Sequence, residues 1–150
     1  GYAVADERII AKMTVGKQAS DVHTPLFCQL LVDEWMETYD FEAHIRKIQD
    51  IYRTKLNLMC DLIDSELGDF VTYNRPEGGL FVWCLLRDGV DMLSFCKATV
   101  EHKVAIVPGT AFLVDQSEAT QAVRLNFSTP TDEKIVEGMK ILGRVAKTFG

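Results

Sequence analysis

The chain has 150 residues, 47% of them hydrophobic and 25% charged, and a net charge of −6. That length suits one domain or a small pair of subdomains burying ~70% of the unfolded surface, and the acidic balance without any basic run argues against a nucleic-acid partner, because phosphate binding needs clustered Lys and Arg. No apolar run approaches the ~20 residues of a membrane span, and no signal-peptide pattern opens the chain. Cys28, Cys60, Cys84 and Cys96 form no CxxC pair and have no His cluster beside them, so they read as free thiols of a reducing, cytoplasmic compartment, not zinc ligands.

In chain order, Tyr2 to Ala5 reads as a short buried strand, and the opening GYAVADE, with no lead-in and no initiator methionine, looks like a cut inside a larger protein. Asp6 is a suitable N-cap, with Glu7 in the first turn. Ile9, Ile10 and Met13 give a short amphipathic helix ending near Gly16, followed by a polar loop from Lys17 to His23. Thr24-Pro25 starts a second helix through about Tyr39, a hydroxyl cap followed by proline at the first helical position. Asp40 caps the longest helix. Its apolar residues Phe41, Ile45, Ile48, Tyr52, Leu56, Met59 and Ile63 recur at the helical period, and Leu67-Gly68 ends it.

The pattern then turns to strands. Phe70 to Tyr73 is one, followed by the turn NRPEGG at 74–79 and the continuous apolar run LFVWCLL at 80–86, expected to be a central strand. Asp91 caps a helix that faces Met92, Phe95, Cys96, Thr99 and Val100 inward. Val104 to Val107 is a strand stopped by Pro108-Gly109, with Ala111 to Val114 as its continuation. Val123 to Ser128 is the last strand. Thr131 caps a final helix whose buried stripe is Ile135, Met139, Leu142, Ala146 and Phe149. The sum is an α+β fold, a sheet with helices on one face, preceded by a mainly helical segment.

Within AVRLNFSTP (122–130), side chains alternate, so Val123, Leu125 and Phe127 share one face while Arg124, Asn126 and Ser128 share the other. A guanidinium held on a strand beside an amide and a hydroxyl can grip a carboxylate through two parallel charge-assisted hydrogen bonds, or be an ordinary surface arginine. Other chemistries find less support. No Ser/His/Asp or Cys/His arrangement is marked locally, His44 and His102 sit where solvated or helix-capping roles suffice, and Gly78-Gly79 lacks phosphate-loop spacing.

RPEGGLFVW (75–83), VAIVPGTAF (104–112) and VRLNFSTPTDEKIVEGMKIL (123–142) resemble, in that order, the C-terminal part of fold-type I pyridoxal-phosphate aminotransferases, closest to the branch with 2-aminoadipate and kynurenine aminotransferases. GYAVADERIIAKM and KQASDVHTPLFCQ resemble preceding elements of that family, so the likeness covers nearly the whole chain. It implies that residues 1–39 are a remnant of the large cofactor domain, 40–68 the long interdomain helix and 69–150 the small domain. Arg124 would hold the substrate carboxylate, Gly78 and Gly79 would let backbone approach the substrate, and Asn126 would join the substrate site. Phe112 and the Pro108-Gly109 turn would be structural, and the Gln18–His23 loop would lie near a dimer interface.

The resemblance also implies what this chain departs from. The Schiff-base lysine, the acid on the pyridine nitrogen and most phosphate ligands would lie upstream; Lys12 and Lys17 do not match the lysine motif. The expectation is therefore an inactive fragment, without bound pyridoxal phosphate, of a homodimeric cytoplasmic transaminase acting on an amino acid and a 2-oxo acid. Two competing readings remain: the ligand-sensing domain of an aminotransferase-like transcriptional regulator, and a free-standing binding module.

Overall fold

A computed structural model describes residues 2–149, and they divide into two compact units, one running to Arg46 and the other beginning at Lys47. In the first, α1 (Glu7–Ser20) starts at Asp6, whose carboxylate accepts from the Arg8 amide at 3.0 Å. The helix runs past Gly16, beyond its expected end. One interior glycine costs only ~1 kcal/mol against alanine, and the last turn is held by the Lys17–Asp21 ion pair at 2.6 Å and a Ser20 hydroxyl donating to Gly16 O.

α2 (Leu26–Thr38) begins after Pro25 with no side-chain cap, so Thr24 does not play the capping role expected of it. Tyr2 to Ala5 is irregular, not a strand. An extended segment needs a neighbour for its N–H and C=O groups, and no strand is described within its own unit. No described residue of this unit is buried; Phe27, Leu30, Leu31 and Met36 are among its exposed apolar side chains.

α3 (Phe41–Leu62) is capped by Asp40, which accepts from the Ala43 amide at 2.8 Å. Its apolar stripe becomes buried only toward its end, at Met59 and at Ile63 in the π-helical turn Ile63–Leu67. Gly68, at φ +48°, ends the helix as its sequence position suggests.

Beyond it lies an antiparallel sheet in the order β1-β2-β4-β3: β1 (Val71–Tyr73), β2 (Phe81–Leu86), β4 (Ala122–Asn126) and the two-residue β3 (Val107–Pro108). β3 pairs with β4 only at Val107 and Pro108, so Val104 to Ile106 of the expected strand lies outside the ladder, and because Gly109–Phe112 turns at once into a 3-10 helix, Ala111 to Val114 does not extend it. The helices α4 (Met92–Glu101) and α5 (Asp132–Ala146) are capped as foreseen by Asp91 and Thr131. Met92, Phe95, Cys96 and Thr99 of α4 are buried, whereas Val100 is exposed.

One sheet face makes the core. Val82, Cys84, Val123 and Phe127 meet Ile63, Phe95 and Met139, all at most 2% exposed. Each large apolar side chain so buried contributes ~1.5–3 kcal/mol. LFVWCLL is central, as expected, but β2 alternates exposed and buried. Its second apolar face, carrying Phe81, Trp83 and Leu85, lies open.

Candidate functional site

The open face is where Arg124 stands. Strand register sets Arg124 directly across from Trp83 on β2 and Val107 on β3, and Asn126 across from Phe81. Cross-strand partners point to the same side of a sheet, so the buried Val123 and Leu125 anchor β4 while Arg124 projects away from the core. The expected alternation of this strand holds, although the ladder ends at Asn126 and not at Ser128.

The surroundings of the guanidinium are aromatic. Its Cζ lies 3.9 Å from the Phe81 ring centroid and 4.7 Å from that of Phe112. Trp83 meets Phe112 edge to face at 5.3 Å. Phe112 reaches this position because Gly109 lets the 3-10 turn press on β4: a Cβ there would lie 2.7 Å from both Cβ and O of Ala122. Arg124 Nε is buried without a hydrogen-bond partner, and among the described residues the guanidinium forms no ion pair. The site is thus a cation set over two rings and, among the described residues, without a fixed anion.

Asn126 is engaged locally. Its Oδ1 accepts from the Ser128 amide at 2.8 Å and the Ser128 hydroxyl at 2.9 Å, and its Nδ2 donates to Thr129 Oγ1 at 3.3 Å. It shapes the loop that leaves β4. Lys55 of α3 pins the same loop, its ammonium donating to Ser128 O at 3.2 Å and also to Pro130 O. Gly79, just before β2, has φ +87° and open space where a Cβ would sit. That backbone conformation favours glycine and leaves room for close approach. Two grooves of about 490 and 510 Å³ also lie in this unit; Leu125, Asn126 and Pro130 line part of the first, and Arg124 lines neither.

The cysteines of this unit's core, and the histidines His44 and His102, are held in structural surroundings. Burial pushes the Cys84 thiol up to about 12 and Cys96 up to about 11, so both are protonated near neutrality. His102 Nδ1 lies 2.8 Å from Ala98 O, a helix-end contact, and His44 packs edge-on to Trp35. Among the described residues no cluster of His, Cys, Asp or Glu could hold a metal ion, and no helix is long and apolar enough to cross a membrane.

The family model described as "Aminotransferase class I and II" matches residues 1–142. The chain belongs to this family. A 2-aminoadipate transaminase of Thermus thermophilus is 34% identical over 146 residues, 97% of this chain and 36% of that protein. The crystal structure of LysN, an alpha-aminoadipate aminotransferase from the same species complexed with N-(5'-phosphopyridoxyl)-L-leucine, has a TM-score of 0.82 and 33% identity to this aminotransferase-family chain, covering 97% of it and 37% of its own length. A more distant relative is NorG, an HTH-type transcriptional regulator of Staphylococcus aureus, 24% identical over 136 residues, 90% of this chain and 30% of that protein. The chain therefore spans little more than a third of the length of its nearer aminotransferase relatives named here.

Sequence reasoning named Arg124, Gly79 and Asn126, gave Phe112 only a structural role, and missed Phe81, Trp83 and Lys55 around them. The parity of Phe81 and Trp83 in β2 carries part of that signal. The strand register that brings it to Arg124 does not show in the residues.

Proposed function

We propose that this chain is the C-terminal part of a pyridoxal-phosphate-dependent aminotransferase that moves an amino group between an amino acid and a 2-oxo acid. Residues 1–39 would close the large cofactor domain, 40–68 link the domains and 69–150 form the small domain of a cytoplasmic homodimer. The observation that carries this reading is Arg124, an unpaired guanidinium on the open sheet face of a chain in this family. Both partners in transamination keep their carboxylate, so one permanently charged, planar donor serves substrate and product alike. Held by its carboxylate, the amino acid is fixed in position, and its amino group is oriented toward the reacting centre. Gly79 leaves space beside β2 for that substrate, and Asn126 holds the end of β4 in shape.

The residues here fit the substrate carboxylate, not the cofactor. Pyridoxal phosphate needs an amine, an acid for its ring nitrogen and donors for its phosphate, and the groups brought against Arg124 are rings. Lys17 is paired with Asp21, and Lys55 is spent on two carbonyls. The cofactor's holders belong to the rest of the longer protein. The exposed apolar side chains Phe27, Leu30, Leu31, Trp83 and Leu85 support a protein in which further chain covers them.

The test adds pyridoxal phosphate to the isolated chain and to the longer protein. The chain alone is expected to give neither cofactor absorbance nor transamination, and the longer protein both. Stoichiometric attachment to the isolated chain, abolished by replacing one of its own lysines, would sink the reading. The likeness to NorG favours a second reading, a ligand-sensing domain behind a DNA-binding module. A winged-helix segment encoded upstream, with no turnover by the longer protein, would favour it.

A further inference from the structure

Arg124 has no fixed anion among the described residues, yet it is flanked by aromatic rings. Phe81 reaches it diagonally across the β2–β4 ladder, and Phe112 reaches it from the turn after β3, with ring centroids 3.9 and 4.7 Å from the guanidinium carbon. Trp83, directly opposite in register, braces Phe112 edge to face. Ring faces carry negative potential and attract a cation, but they offer no in-plane acceptor for its N–H groups. Nε is buried. What remains for an incoming ligand is the outer edge formed by the two Nη groups.

From this geometry we propose that Phe81 and Phe112 are positioning residues for carboxylate recognition. They flank the guanidinium so that a substrate carboxylate is taken end-on by the two Nη groups. The inference rests on the reading of Arg124 as the carboxylate anchor and adds the two rings that aim it. Rings do this where a carboxylate neighbour could not, because a fixed anion beside Arg124 would compete with the substrate for the same donors. The rings also line the approach with apolar surface, favouring substrates whose side chain tolerates it.

The experiment uses the longer protein loaded with its cofactor and two probes, 3-phenylpropanoate and its neutral analogue 3-phenylpropanamide. Phe81→Leu and Phe112→Leu should each weaken 3-phenylpropanoate binding between about threefold and thirtyfold, the span of one cation–π contact. Binding of the amide should change less than about twofold, and KM for the amino acid should rise more than kcat falls. Phe112→Tyr should keep the carboxylate preference.

Stepwise fluorination of Phe112 keeps shape while draining the ring face, so it covers the case in which a leucine variant fails to fold. It should weaken carboxylate binding in steps. An unchanged carboxylate-to-amide preference in the leucine variants and across the fluorinated series overturns the role of the rings. If Arg124→Lys abolishes that preference in the same assay, the anchor stands and the ring proposal alone has failed. If Arg124→Lys also leaves it unchanged, the anchor itself is wrong.

Discussion

An arginine kept for a ligand should cost the fold little when removed, and Arg124→Met in the isolated chain tests this. The substitution forfeits contacts with two rings, worth ~0.5–1 kcal/mol each near a surface and ~2 when desolvated. It also removes a buried Nε–H without a partner, a defect costing ~1–3 kcal/mol, and leaves an unbranched apolar side chain against Phe81, Trp83 and Phe112. These terms nearly cancel. The expected change in unfolding free energy is within about 1 kcal/mol of zero in either direction. Urea denaturation followed by far-ultraviolet circular dichroism measures it through the midpoint at unchanged m-value. A loss above about 2 kcal/mol would show that Arg124 is a clamp of the sheet and refute the view that it awaits an anion.

Gly109→Ala should destabilise the chain by ~1–3 kcal/mol in the same urea assay, since the new methyl meets backbone and Cβ of Ala122 at 2.7 Å. It should also displace Phe112, visible as a change in Trp83 emission. Lys55→Met leaves Ser128 O and Pro130 O without their shared donor. A loss of ~1.5–3 kcal/mol is expected, with faster hydrogen exchange from Ser128 to Thr131. Cys84 gives a pH dependence: its thiol is held up from 9.0 to about 12 by burial, so the unfolded chain loses that proton first. Its contribution is complete below pH 9 and is lost as pH rises toward 12, a fall on the order of a few kcal/mol. Cys84→Val should flatten part of that alkaline decline in equilibrium unfolding.

The legible parts of this fold were the local ones. Helix caps at Asp6, Asp40, Asp91 and Thr131 sit where a short side chain precedes an apolar period, and each is used. The alternation at 123–127 gave the two faces of β4, because strand parity needs no knowledge of neighbours. Features that depend on partners were harder to see. Tyr2 to Ala5 has strand composition, but no strand is described within its own unit. Ala111 to Val114 looks equally extended, yet the close contact of Gly109 with Ala122 goes with a turn there. LFVWCLL is the central strand its composition suggests, but a continuous apolar run does not tell which face is covered, and here one side is open.

The site divided in the same way. Arg124 stood out because a charged residue interrupts a strand pattern. The rings that flank it lie 43 residues before it and 12 residues before it in the chain (81 and 112 against 124), and the β2–β4 register and the turn after β3 bring them together. Lys55, still farther away in sequence, reaches the loop after β4 only through the packing of α3.

The most direct test of the account compares kcat/KM for amino acid and 2-oxo acid in the longer protein and its Arg124→Lys variant, with cofactor absorbance as the check on folding. Lysine keeps the charge but loses the planar fork. With the cofactor spectrum intact, both values are expected to fall by about thirtyfold or more, the lower end of the 2–5 kcal/mol for a disrupted buried charge pair. Equal values in the variant and the parent would contradict Arg124 as the carboxylate anchor.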